Sequence, residues 1–295
     1  MTHGIYTDFF NKSLPMPTEG PSDADEAAAL LGGLTSAEIR RVIFAPRYCP
    51  RLESGFDSVG YFVRMRNRVF RSVKSSVPRG IAATLAAEVV MYPGCFNDPE
   101  ITRLAFGIPR CMICSLPFPI YNDEIFKDIN KLVYRIGIIP IFAEFNRYLL
   151  FYPEDIIRKL LNVPGAAFQF NVRSLDYKDT VKFVMSLISS GKHVLFGTGA
   201  RRAGRYEADT GDHFRLLRRS LGEADFNLLM LGALKFCRPP VEIRRHTEAF
   251  KPYTVVRRIS FLWLRRRVYD VRVCLFQAGR ICGRAAGGSP FRALP

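Results

Sequence analysis

Short apolar runs rich in β-branched and aromatic residues recur along the chain, and each gives way to a stretch with helical spacing. The runs cover 5–10 (IYTDFF), 41–48 (RVIFAPRY), 84–92 (TLAAEVVMY), 110–118 (RCMICSLPF), 138–145 (IIPIFAEF), 166–172 (AAFQFNV) and 193–198 (HVLFGT). Helical patterns lie between and after them, at 23–33, 55–76, 121–136, 153–163, 177–190, 209–221 and 223–235. Runs this short and apolar on both faces read as parallel strands buried between helices. Their alternation with helices predicts an α/β fold, a parallel sheet with helices outside, of the kind that closes into a barrel.

Such folds gather their chemistry at the C-terminal ends of the strands, where loops from distant parts of the chain meet. The residues there are Asp8, Phe10 and Lys12, then Pro46 and Arg47, Glu88, Ser115, Glu144 and Arg147, Gln169, and finally Gly199 and Arg201. Each taken alone is simply a residue at a strand exit. Together they would bring cations and carboxylates to one end of the fold.

The most glycine-rich of these ends, HVLFGTGARRAGR at 193–205, has the look of a phosphate cradle without its spacing. A dinucleotide fingerprint needs G-x-G-x-x-G, whereas Gly204 follows Gly199 by five residues. A Walker loop needs Lys followed by Ser or Thr, which the stretch lacks. A nucleotide-binding loop is not expected.

Composition narrows the class. The chain has 295 residues, 48% of them hydrophobic, enough for one large α/β domain with an extension. Its most apolar region, 132–152, is interrupted by Arg135, Glu144 and Arg147, so no membrane-spanning helix is expected. The start, MTHGIYTDFF, has no basic segment followed by an apolar core, so no signal peptide is expected and the reading is cytoplasmic. Seven irregularly spaced cysteines fit reduced thiols in that compartment. Cys111 and Cys114, three apart in a strand, point to opposite faces and read as core thiols. The net charge of +16 is unevenly placed: residues 235–295 hold 14 Lys and Arg against three acids, net +11, leaving the rest of the chain at net +5.

Read in order, the strand ends carry DFFNKSLP (8–15), FAPRY (44–48), AAEVV (86–90), SLPF (115–118), GIIPIFAEFNRY (137–148), GAAFQFNVRS (165–174) and TGARR (198–202). This series resembles that of the PHP-fold tyrosine phosphatases of the CpsB/CapC type. Their corresponding stretches read D-x-H-x-H-x-L-P, A-T-P-H, G-x-E, E-L-P-F, G-Y-I-P-V-x-A-H-P-E-R, G-x-x-x-Q-x-x-x-x-S and S-D-A-H-N. Asp8, Leu14, Pro15, Glu88 and Arg147 match. The resemblance implies a distorted TIM-like (β/α)7 barrel of the PHP type over residues 1–236, with a basic C-terminal extension over 237–295. It implies a protein tyrosine phosphatase of capsule and exopolysaccharide biosynthesis. In that family a cluster of divalent metals, usually manganese, generates a hydroxide and clamps the phosphoryl oxygens.

This sequence departs from the family at the metal ligands. Histidines of the family pattern are replaced by Phe10, Lys12, Arg47 and Glu144, and the final Asp and His by Gly199 and Arg201. Only Glu88 is retained, with Glu144 as an altered remnant, so no metal and no cofactor is expected unless manganese survives in a reduced site. The four histidines, His3, His193, His213 and His246, fall on none of the ligand positions. Ammonium and guanidinium groups offer no lone pair to a cation. Two readings of the replacements stay open. Lys12, Arg47 and Arg201 could pair with Glu88 and Glu144 as a salt-bridge cluster. Alternatively, Lys12, Arg47, Arg147, Arg201 and Arg205 could form an anion pocket that holds phosphate through bidentate guanidinium contacts. Arg147 corresponds to an arginine that the resemblance implicates in phosphate binding, and Arg205 lies one residue out of register with another.

The expectation is a pseudophosphatase that binds phosphotyrosine or phosphate, its partner a phosphotyrosine protein such as a bacterial tyrosine kinase. The alternative is a phosphatase still active through a reduced site, with Glu88 and Arg147 as catalytic residues. A third reading is a basic binding module. Its tail, TVVRRISFLWLRRRVYDVRVCLFQAGR at 254–280, would touch lipid headgroups at the inner face of the membrane, nucleic acid being the less expected ligand. The closing GRAAGGSPFRALP reads as disordered.

Overall fold

β-branched and aromatic runs fold as strands here, buried along nearly their whole length. The computed structural model describes residues 6–236 except 18, 37, 51–57, 119–120, 201–209 and 235. Its strands are β1 (Tyr6–Asn11), β2 (Ile39–Phe44), β3 (Arg47–Tyr48), β4 (Ala82–Leu85), β5 (Glu88–Val90), β6 (Cys111–Ser115), β7 (Ile139–Phe142), β8 (Ala167–Asn171) and β9 (His193–Gly197). The helices are α1 (Ala24–Ser36), α2 (Val59–Lys74), α3 (Asp123–Asn130), α4 (Glu154–Leu161), α5 (Lys178–Ser189), α6 (Thr210–Leu221) and α7 (Glu223–Leu234). The helix expected over 121–136 continues past α3 as a wider turn, Lys131–Ile136, and stops at Gly137, whose φ of +73° suits a left-handed cap.

All the strands pair in parallel, in two sheets ordered β1-β2-β4 and β3-β5-β6-β7-β8-β9. Two runs expected as single strands, 41–48 and 84–92, are each broken where the chain passes from the first sheet to the second. The break after β2 falls at Ala45–Pro46, where proline brings no N–H to a ladder. Backbone bonds carry the contact across both breaks. Ala45 N–H donates to Asn11 O at 2.8 Å, Ala86 N–H to Phe44 O at 2.8 Å, and Glu88 N–H to Pro46 O at 3.0 Å. Among the described residues the strands therefore fall into two sheets, and no single closed ring of the kind the alternation anticipates is seen. The first and last strands nevertheless meet: Gly199 N–H donates to Phe10 O at 2.8 Å and Lys12 N–H to Ala200 O at 2.9 Å.

An apolar interior is fed by six of the nine strands, through residues that include Phe9, Phe10, Ile43, Ile113, Ile141 and Leu195. Cys111 and Cys114 are both fully buried, as core residues should be. Among the described residues, no helix is long and apolar enough to cross a membrane. The extension over 237–295 and its basic segment lie outside the described residues.

One carboxylate fastens the meeting of β1 and β9. Asp8 is fully buried in β1. Its Oδ1 accepts from Thr198 N–H at 2.8 Å and from Phe10 N–H at 3.2 Å, and its Oδ2 accepts from Thr198 Oγ1 at 2.6 Å and Asn11 Nδ2 at 2.9 Å. Burial raises the pKa of this carboxyl, and the four hydrogen bonds oppose that rise. Backbones approach closely at the same place. A Cβ on Gly197 would lie 2.6 Å from both the nitrogen and the Cβ of Phe10.

Two stability measurements test this seam. Asp8→Ala leaves four donors without their acceptor and is expected to lower the unfolding free energy by about 3 kcal/mol. Gly197→Ala forces the two strands apart and is expected to cost about 2–3 kcal/mol. Denaturant melts within about 0.5 kcal/mol of wild type for both variants would show that the seam does not hold the fold.

Candidate functional site

Glu88 opens β5 with its carboxylate fully buried, a position that is tolerable only if cations and donors surround it. They do. Lys12, in the loop after β1, is itself buried, and its Nζ pairs with Glu88 Oε2. Arg47 opens β3 directly opposite Glu88 in the parallel register. Its Nε lies 3.0 Å from Oε2 and its Nη2 3.3 Å from Oε1, a two-point guanidinium grip. Ser115, the last residue of β6, donates its hydroxyl to Oε1. Burial works against ionisation of Glu88, but Arg47 and Lys12 outweigh it and hold the carboxyl below the usual range. Glu88 in turn raises the pKa of Arg47 against the effect of burial.

A third carboxylate completes the cluster. Glu19 lies on a loop that doubles back over the end of β1, and Gly20 makes that fold-back possible. Its φ is +102°, and a Cβ there would fall 2.1 Å from Leu14 O. The loop presents Glu19 Oε2 3.1 Å from Lys12 Nζ, while Oε1 accepts from Arg47 N–H at 2.9 Å. The ammonium also sits 4.9 Å from the ring centroid of Phe10, which has joined the apolar interior.

A second ion pair stands beside the first. Glu144, just past β7, adopts φ +47°, unusual for a residue with a side chain. Gln169 Oε1 accepts its N–H at 2.8 Å and so fixes the turn. The turn continues into a short helical segment, Phe145–Leu150, that carries Arg147. Arg147 Nη1 reaches Glu144 Oε2 at 2.8 Å, and its guanidinium lies 4.7 Å from the ring centroid of Phe118. Gly199 packs against this pair. A Cβ at that position would lie 3.6 Å from Glu144 Oε1 and 3.1 Å from Asn171 Nδ2. The two pairs share one field: Glu144 acts on Arg47, and Glu88 acts on Arg147.

Lys12, Arg47, Glu88, Ser115, Glu144, Arg147, Gln169 and Gly199 therefore gather at one end of the strands, as their positions at strand exits anticipate. Arg201 and Arg205 lie outside the described residues. Asp8 serves the seam instead of this cluster. Sequence reasoning overlooked Glu19, Thr198 and Asn171. A signal for Glu19 existed in the charge count. Lys12, Arg47 and Arg147 are three cations set against only Glu88 and Glu144, so burying them together calls for a third carboxylate nearby.

The arrangement does not fit a divalent metal. Glu88 stands at the ligand position that the sequence resemblance leaves unchanged, and both of its oxygens are engaged by Lys12, Arg47 and Ser115. Neither cation can donate a lone pair. Among the described residues, no three His, Cys, Asp or Glu side chains are grouped to hold an ion. Of the two readings of the replaced ligands, the geometry favours the salt-bridge cluster, since each of the three described cations has a carboxylate within reach. Lys12 is enclosed, whereas the side chains of Arg47 and Arg147 keep 19% and 31% of their surface exposed and could still meet an anion.

Comparison with known proteins bears on the fold alone. The chain matches no family model, and no curated protein matches it. Among solved structures it is similar to YwqE from Bacillus subtilis and CpsB from Streptococcus pneumoniae, described as unique metal-dependent tyrosine phosphatases. The match has a TM-score of 0.61 at 16% identity and covers 78% of this chain and 94% of the other. A histidinol phosphate phosphatase from Lactococcus lactis, determined with zinc, L-histidinol and phosphate, gives a TM-score of 0.46 at 14% identity, over 74% of this chain and 94% of that one. The chain thus shares a PHP-type fold with the first pair.

The cluster makes an ordered prediction. Glu88→Gln leaves buried Lys12 to Glu19 and Arg47 without its side-chain carboxylate and is expected to cost about 3 kcal/mol, whereas Lys12→Met leaves Glu88 gripped by Arg47 and costs less. Because the folded pKa of Glu88 is depressed, its contribution is complete above the unfolded carboxyl value and is lost as pH falls toward the folded one. Wild-type stability should therefore drop below about pH 4.5 more steeply than that of Glu88→Gln. Parallel acid limbs for the two proteins in pH-dependent melts would remove Glu88 as the source.

Proposed function

We propose that this protein is a phosphatase-fold pseudoenzyme, a relative of the capsule-type PHP tyrosine phosphatases that binds a phosphorylated group without hydrolysing it. The observation that carries the reading is the pairing of Lys12 and Arg47 with Glu88. Hydrolysis by the metal route needs a hydroxide held on a cation, and a carboxylate already neutralised by an ammonium and a guanidinium has little attraction left for one. The shared fold supports the ancestry. The resemblance of the strand-end motifs supports the link to polysaccharide biosynthesis, and with it a partner such as a bacterial tyrosine kinase.

Binding would fall to the two arginines that keep an exposed edge. Arg47 and Arg147 stand near enough to feel each other's carboxylates. A dianionic phosphate competes well for Arg147 because Glu144 offers it a single contact at 2.8 Å, whereas phosphate can accept two parallel hydrogen bonds. The ring of Phe118 beneath the guanidinium keeps it in place while the anion exchanges.

Purified protein supplemented with manganese or zinc is expected to retain less than one ion per chain and to leave p-nitrophenyl phosphate intact. Stoichiometric metal together with turnover abolished by a chelator would overturn the pseudoenzyme reading. Calorimetric titration with a phosphotyrosine peptide should give binding that Arg147→Ala weakens about tenfold, a charge-assisted contact. Equal affinity for the unphosphorylated peptide would defeat the binding half of the proposal.

A further inference from the structure

Helix α2 carries a one-sided charge pattern. Its sequence, VGYFVRMRNRVFRSVK, holds Arg64, Arg66, Arg68, Arg71 and Lys74 and no acid. Arg66 turns inward with Val59, Phe62, Val63 and Val73, and its guanidinium donates to Ala86 O at 3.1 Å. The other four cations are exposed. Tyr61, Arg64, Arg68 and Arg71 follow one another at spacings of three and four residues, which lines them along one ridge of the helix.

Neighbouring like charges at these spacings destabilise a helix unless something offsets them. Elsewhere the chain supplies the offset on the helix itself. Lys127 pairs with Glu124 on α3, Arg158 with Glu154 on α4, and Arg215 with Asp212 on α6. Among the described residues, Arg64, Arg68, Arg71 and Lys74 have no such carboxylate partner. The segment around them is equally one-sided: residues 39–87 contain ten Lys and Arg against two acids, net +8. With 235–295 at net +11, the remainder of the chain is slightly acidic, so positive charge is concentrated at α2 and in the tail.

We infer that the exposed ridge of α2 is a docking face for an anionic lipid bilayer. From Arg64 to Lys74 the row runs about 15 Å at the helical rise per residue. Borne on one helix, the row can meet a flat array of headgroups along its length. Arginine and lysine stems lie along the surface while their heads reach the phosphates. Tyr61, 40% exposed at one end of the row, has the amphipathic ring that settles at a membrane–water boundary. A nucleic acid would draw on the same charges, but a single-strand site also uses a platform of aromatic rings for the bases, and the ridge offers only Tyr61. This inference is independent of the phosphate-binding reading, because α2 contributes nothing to the Glu88 cluster.

The test uses the full chain with the tail arginines Arg257, Arg258, Arg265, Arg266, Arg267 and Arg272 changed to Gln, which lowers residues 237–295 from net +10 to net +4, and the contribution of α2 is read as a difference within that background. Co-sedimentation with phosphatidylserine/phosphatidylcholine vesicles is expected, and it should weaken as salt rises. Adding Arg64→Gln, Arg68→Gln and Arg71→Gln should lower the affinity on the order of 100-fold, at about fivefold per cation, with circular dichroism unchanged. The matching lysine triple variant should keep the binding. The inference fails if the tail-substituted chain ignores these vesicles, or if it binds phosphatidylcholine alone equally well. It fails too if the glutamine variants bind like their parent, or if a duplex oligonucleotide is retained and vesicles are not.

Discussion

A buried carboxylate shared by two cations organises the end of this fold where the chemistry of its structural relatives would be sought. Glu88 can ionise in the interior only because Lys12 and Arg47 are there, and those cations can be buried only because Glu88 and Glu19 face them. The dependence is mutual, and it reaches the backbone. Arg47 N–H is tied to Glu19, and Glu19 is aimed by a loop that closes through Gly20. Loop, strand start and sheet junction therefore form one electrostatic unit.

On the proposed reading, that unit explains how a PHP-type fold stays intact with no histidines at these strand ends. A vacated polar site is costly unless something neutralises the groups left inside it. Here charge has been answered by charge: Lys12 and Arg47 supply, as fixed side chains, the positive field that a bound cation would otherwise bring. Phe10 takes the complementary course and joins the apolar interior. Each solution preserves packing, and neither preserves a lone pair.

Much of the architecture was legible in the sequence. Each of the seven apolar runs holds strand structure, and the helical patterns match their helices within a few residues, because burial between helices leaves a plain hydrophobic signature. The breaks at Ala45–Pro46 and Ala86–Ala87 were not legible, since they depend on which sheet each half joins. The site was readable as a set of strand ends, and the convergence of Lys12, Arg47, Glu88, Glu144 and Arg147 follows from parallel topology. Glu19 was hidden because a loop acid carries no periodic signal; only the unbalanced charge pointed to it. Thr198 was hidden for a related reason, its role resting on a partner at the far end of the chain.

That partner has a further consequence. The bond between Asp8 and Thr198 joins residues separated by 190 positions. Ordering so long a loop takes more chain entropy than any pairing of adjacent strands, and the contacts that compensate exist only once the intervening sheet is in place. The β1-β2-β4 sheet can gather early from a short stretch of chain. The β1–β9 junction therefore comes late, and the nascent protein must hold one edge of its first strand open until synthesis has passed Thr198.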